Sequence, residues 1–93
     1  MSFCESGAPI KSHNIAFGRS VRALRLQQGK TQEMLGLEAG LDRTYISKLE
    51  LGQSSPTLDS IFMLCDALHC TFTELAASTD SMMKALNEAD DPP

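Results

Sequence analysis

Arg43, Thr44, Ser47 and Lys48 place two cations and two hydroxyls within one short stretch of chain. A guanidinium can bond both acceptors on a guanine edge at once. An ammonium can donate to the same edge, and Thr or Ser can reach base edges or the thymine methyl. For that chemistry the four side chains must share a surface. Wound as a helix at about 100° per residue, they fill one contiguous arc, with Leu51 at its far end. Ile46, Leu49 and Glu50 occupy another arc. A solvated face of an ordinary amphipathic helix has the same pattern, so these residues alone leave both readings open.

Glu50 constrains the choice. It falls beside Ile46 and Leu49 on the apolar side, where a carboxylate without a partner is costly. Arg25 lies one turn beyond Val21 and borders the stripe made by Phe17, Val21 and Leu24. An Arg25–Glu50 ion pair, with charged groups within about 4 Å, is therefore expected to lock the first helix to the third. Such a pair fixes a docking angle more than it adds net stability.

The elements that must hold these groups are helical throughout. The Phe17–Val21–Leu24 helix should stop at Gly29, a residue suited to the position just past a helix end. Thr31 caps a second helix that carries Gln32 and Glu33 in its first turn, turns Leu35 and Ala39 inward, and ends at Gly40. Asp42 caps the third, which stops at Gly52. A fourth runs from about Leu58 to His69, with Leu58, Ile61, Phe62, Cys65 and Leu68 on its apolar face. Thr73 should cap a short fifth helix containing Leu75. Residues 81–89 have the pattern of a short sixth, with Met82, Met83, Leu86 and Ala89 on one side. The expected architecture is an all-α, compact five-helix domain over 12–78. A mobile arm over 1–11 precedes it, and a C-terminal helix and acidic tail over 79–93 follow.

Thr31 to Gly52 thus reads as two short helices joined by a tight turn at Ala39-Gly40-Leu41, the layout of a helix-turn-helix. The run Thr31-Gln32-Glu33, then Ala39 through Glu50, then Gly52, Pro56 and Leu58 resembles the Cro/phage-repressor (Xre-type) helix-turn-helix family over roughly residues 15–76. Within it, the short length and the Leu41-to-Ser47 stretch are similar to controller proteins of restriction–modification systems. The resemblance implies a symmetric dimer on double-stranded operator DNA. It implies base readout by Arg43, Thr44, Ser47 and Lys48, and a phosphate contact by Gln32, which also braces the third helix. Tyr45 would reach the sugar-phosphate backbone, and Arg25 with Glu50 match the family's structural ion pair. Gly36 stands where the family usually has Ala, which should soften the second helix. The loop Gln53-Ser54-Ser55 lacks the basic residue often found there, so backbone anchoring by Gln53 and Ser54 would rest on amides and hydroxyls.

Charge must be reconciled with that partner. The 93-residue chain carries a net charge of −4. The sign is unevenly spread: residues 11–48 sum to +4 and residues 49–93 to −7. A basic working face and an acidic face turned away from it are implied. The acidic half is the expected dimer side, through the fourth helix onward with Phe72 and Leu75. Met82, Met83 and Leu86 either join that interface or pack back on their own core. The net negative charge also suits a different class, an antitoxin-like protein-interaction module with weak or no DNA binding.

Other functions are not supported. Cys65, Cys70, His69 and the distant His13 lack the spacing of a zinc site, so no metal or other cofactor is expected. No Gly-rich phosphate loop or nucleophile motif occurs, which argues against an enzyme. No segment has the length of a membrane span, no secretory signal is apparent, and no small-molecule ligand is expected. Three cysteines without a framework spacing suggest a reducing, cytoplasmic setting.

Overall fold

The computed structural model describes residues 11–90. The arm expected over 1–11 lies, except for Lys11, outside them, as do residues 91–93 of the acidic tail. The described residues form five helices and no strand: α1 (Ser12–Gln27), α2 (Gln32–Ala39), α3 (Arg43–Glu50), α4 (Leu58–Leu68) and α5 (Phe72–Asp90). They enclose one core, in which Val21 of α1, Leu35 of α2, Ile46 and Leu49 of α3, Leu64 and Leu68 of α4, and Leu75 of α5 are fully buried.

Local chemistry sets the boundaries. Thr31 accepts from the Met34 amide at 3.0 Å, Asp42 from Thr44 at 3.2 Å, and Thr57 from Ser60 at 3.0 Å, so α2, α3 and α4 each begin on a side-chain cap. Left-handed residues end α1 to α4. Gly40, with φ +73°, reverses the chain between α2 and α3, while the Leu41 amide returns to the Gly36 carbonyl at 2.8 Å. His69 performs the same reversal after α4 with φ 55°, and Cys70 donates back to Cys65 at 3.0 Å. A non-glycine residue adopts this conformation at some cost.

Two expectations about the last third of the chain are corrected. The fifth and sixth helices are one helix, and it is capped by Thr71 rather than Thr73. Thr71 accepts from the Glu74 amide at 3.0 Å while Glu74 Oε1 accepts from the Thr71 amide at 2.8 Å. This reciprocal pair requires an acidic residue three positions on, which Thr71 has and Thr73 lacks. Nothing between Leu75 and Met82 is Gly or Pro, so the helix continues. Ser78 donates to Ser20 at 3.0 Å, which seats α5 along α1.

The buried face of α4 is also turned by about a quarter of the helix from the apolar stripe read in the sequence. Ser60, Leu64, Cys65, Ala67 and Leu68 are buried, whereas Leu58 and Phe62 are exposed. Ser60 explains the rotation: its hydroxyl accepts from Tyr45 at 3.2 Å and from Thr57 at 3.0 Å, so a polar residue is satisfied facing inward. Phe62, freed from the core, stacks on Phe72 with ring centroids 5.2 Å apart.

Candidate nucleic-acid interface

Residues 43–51 have two unlike sides. Ile46 and Leu49 are sealed in the core, while Arg43, Thr44 and Lys48 are exposed and Ser47 is half-buried. Leu51, the C-cap residue of α3, is 60% exposed and continues the outward arc. The turn at Gly40 and the Asp42 cap aim the first turn of α3, with Arg43 and Thr44, away from the body of the domain. An open groove of about 620 Å³ runs beside Arg43, lined also by Leu26, Lys30, Gln32 and Glu33. Gly36 has a packing role at this turn. A Cβ there would lie 2.6 Å from the Leu41 carbonyl oxygen, so its absence lets α2 and the turn close on each other.

Behind this surface sits a buried polar knot. Arg25 Nε donates to Glu50 Oε2 at 2.7 Å and Nη2 donates to Oε1 at 2.9 Å, a two-point contact whose side chains are 8% and 2% exposed. Gln32 Nε2 adds a third donor to Glu50 Oε1 at 3.0 Å. Arg25 Nη1 meets the Lys30 carbonyl at 2.8 Å. Hydrogen bonding to Glu50 raises the Arg25 pKa above its ordinary value, against the opposing effect of burial. The C-terminus of α3 is thereby tied to α1 and to the first turn of α2. One consequence is that the orientation of Arg43 and Lys48 is set by groups that do not themselves face outward.

The other expected site residues fall as follows. Gln32 is half-buried and gives one N–H of its side-chain amide to Glu50, which leaves the second N–H and the carbonyl oxygen. Tyr45 is half-buried, its ring against the core and its hydroxyl turned to Ser60, so it is not simply an outward group. Gln53 is exposed and Ser54 half-buried. Among the proposed dimer residues, Phe72 is exposed and Met82, Met83 and Leu86 are half-buried. Leu75 is only 1% exposed, inside the core of its own chain, and has no surface to offer a partner. Phe62 is a surface residue that the apolar spacing of α4 hides; the signal for it is Ser60, whose inward turn displaces it.

Burial, with a further contribution from the neighbouring Cys70, pushes the Cys65 thiol up to about 11. It behaves as a core residue rather than a nucleophile at neutral pH. Among the described residues no three His, Cys, Asp or Glu side chains gather as metal ligands, and no helix is long and apolar enough to cross a membrane.

A two-helix unit joined by a tight turn, with a capped, outward-facing second helix, is the layout of a helix-turn-helix domain. The comparisons with known proteins give the particular family. Residues 21–75 match the helix-turn-helix family model, and the chain belongs to that family, the Cro/phage-repressor or Xre type. It is 35% identical over 63 residues to an uncharacterized HTH-type transcriptional regulator, y4dJ, of Sinorhizobium fredii, covering 68% of this chain and 82% of that one. It is 42% identical over 55 residues to the control protein C.BamHI of Bacillus amyloliquefaciens, covering 58% of this chain and 68% of the relative. Its fold matches the restriction–modification controller protein C.AhdI of Aeromonas hydrophila with a TM-score of 0.68 and 37% identity, over 70% of this chain and 98% of that one. The family is one of DNA-binding regulators, not enzymes.

Proposed function

We propose that the protein is a sequence-specific transcriptional regulator that binds inverted-repeat operator DNA as a homodimer, with each α3 in a major groove. The supporting observation is the division of α3 itself: Arg43, Thr44 and Lys48 stand exposed on a helix whose opposite side, Ile46 and Leu49, is fully buried. Arg43 and Lys48 donate to guanine edges, and Thr44 and Ser47 read adjacent positions. Leu51 contributes apolar contact at the end of the same arc. Gln53, Ser54 and the remaining N–H of Gln32 border the backbone, while Tyr45, its hydroxyl held by Ser60, packs behind them.

Two-fold binding places the recognition helices one helical turn apart. Duplexes selected by the protein from a random library should therefore carry half-sites about 10 bp apart in inverted orientation. Arg43→Ala should lose about 1–3 kcal/mol per half-site of the selected duplex and relax the preference at one position in each. Equal loss on selected and random duplexes, measured by fluorescence anisotropy, contradicts a base-reading role.

The dimer surface we assign is the outer side of α4 and the start of α5. There the stacked Phe62 and Phe72 are 48% and 43% exposed beside the exposed Leu58. Aromatic anchors of this kind dominate interfaces, at about 2 kcal/mol or more each. Phe62→Asp should raise the dimer dissociation constant by roughly 30-fold or more, since about 1.4 kcal/mol is tenfold. Light scattering at micromolar concentration should then report the monomer mass. A variant that stays as dimeric as the parent removes this face from the account.

A further inference from the structure

An acidic chain that binds a polyanion must concentrate its positive charge, and the loop after α3 does not supply it: residues 51–57 contain no base. The deficit is made up from another element. α1 carries Arg19, Arg22 and Arg25 and no acidic residue. Arg25 is consumed by Glu50. Arg19 and Arg22 are exposed, and among the described residues neither lies within ion-pair distance of a carboxylate.

Their position relative to α3 follows from three contacts. A Cβ on Gly18 would run into the Leu49 carbonyl oxygen and lie 2.8 Å from that of Glu50, so Gly18 marks where α1 meets the end of α3. A Cβ on Gly52 would lie 2.8 Å from Ile15 Cγ1. Asn14 Nδ2 donates to Ser55 Oγ at 2.8 Å. The first half of α1 is thus laid along residues 49–55. Arg22 follows Gly18 by one turn and Arg19 follows Ile15 by one turn, the spacing that keeps residues on one flank. That flank emerges beside the C-terminal end of α3 and the base-free loop.

We propose that Arg19 and Arg22 form a phosphate clamp on α1 that grips the DNA backbone bordering the groove entered by α3. The proposal rests on the reading of α3 given above. A helix seated in a major groove about 12 Å wide has the phosphate backbones at its flanks, and guanidinium groups bind phosphate oxygens through charge-assisted, two-point hydrogen bonds. Two unpaired arginines on a flank of the same rigid unit are the groups that the missing loop base leaves wanting. They carry no sequence information; their work is affinity and register.

Anisotropy titrations of a duplex selected by the parent protein, repeated over a range of KCl concentrations, test this. Each neutralised phosphate contributes about 0.9 to the slope of log affinity against log salt. In a homodimer each substitution removes two phosphate contacts, so Arg19→Gln and Arg22→Gln should each lower the slope by about twice that amount and the double variant by about four times it, while selecting the same base sequence as the parent. Arg19→Lys and Arg22→Lys should keep the slope, as should Lys84→Gln on α5. Unaltered thermal melts of these exposed variants show that folding is not the cause. A double variant with the parental slope overturns the clamp and leaves the role of α3 intact. A parent protein with no salt-dependent binding overturns both.

Discussion

Glu50→Ala is expected to destabilise the protein by about 3–5 kcal/mol, the cost of leaving a buried charge without its partner. Arg25 would keep its place under the core with two of its donors unsatisfied, and the Gln32 amide would lose its acceptor. Against the 5–15 kcal/mol stability of an ordinary domain, urea denaturation should show a large shift of midpoint. The companion variant separates geometry from charge. Replacing both residues, as Arg25→Met with Glu50→Leu, removes the unpaired charge and should recover most of the stability, because a buried pair and a well-packed apolar substitute are often close in free energy. The recovered protein should still bind DNA less selectively, since the link from α3 to α1 and α2 is gone. A Glu50→Ala protein within about 1 kcal/mol of the parent would mean that the carboxylate is not needed to neutralise Arg25.

The second large effect comes from adding a single methyl. Gly18→Ala places a Cβ against two main-chain carbonyl oxygens, those of Leu49 and Glu50, neither of which can rotate away. Relief requires moving α1 off α3, which also strains the Arg25–Glu50 contact. Overpacking of this sort costs about 1–3 kcal/mol and more where only backbone can yield. For a domain of this size each kcal/mol lowers Tm by about 4–8 °C, so a thermal melt resolves the effect readily. Because both substitutions act on the same seam, Gly18→Ala combined with Glu50→Ala should cost less than their sum. Strict additivity would show that the two sites are uncoupled.

Much of the architecture around α3 is legible in the sequence because local rules and tertiary demand agree there. Thr31 and Asp42 cap helices in the structure, Gly40 closes the turn, and Ile46 and Leu49 are buried as their spacing requires. The carboxylate of Glu50 on an apolar face called for a cation, and one at Arg25 meets it. Legibility fails where a polar group is satisfied inside. Ser60 faces inward because Tyr45 and Thr57 bond to it, and that network rotates α4, exposing Leu58 and Phe62. Periodicity of apolar residues has no means of registering such a network. The acidic second half of the chain points to Leu75 as an interface residue, yet an apolar residue on the first turns of α5 is claimed first by the core. The Gly18 and Gly36 approaches are likewise invisible in one dimension, since they depend on which carbonyl a neighbouring segment brings close.

The whole-chain charge of −4 is a poor guide to the partner, because long-range fields are screened within about 10 Å at ordinary salt. The surface we propose for the duplex is the exposed side of α1 and α3, where Arg19, Arg22, Arg43 and Lys48 stand.

The most direct test of the outward face of α3 is an amide chemical-shift titration of the labelled protein with its selected duplex. The account predicts the largest shifts over residues 42–51, with smaller ones in the first turn of α2 and along the exposed side of α1. Shifts confined to α4 and α5, with Arg43 through Lys48 unmoved, would contradict it.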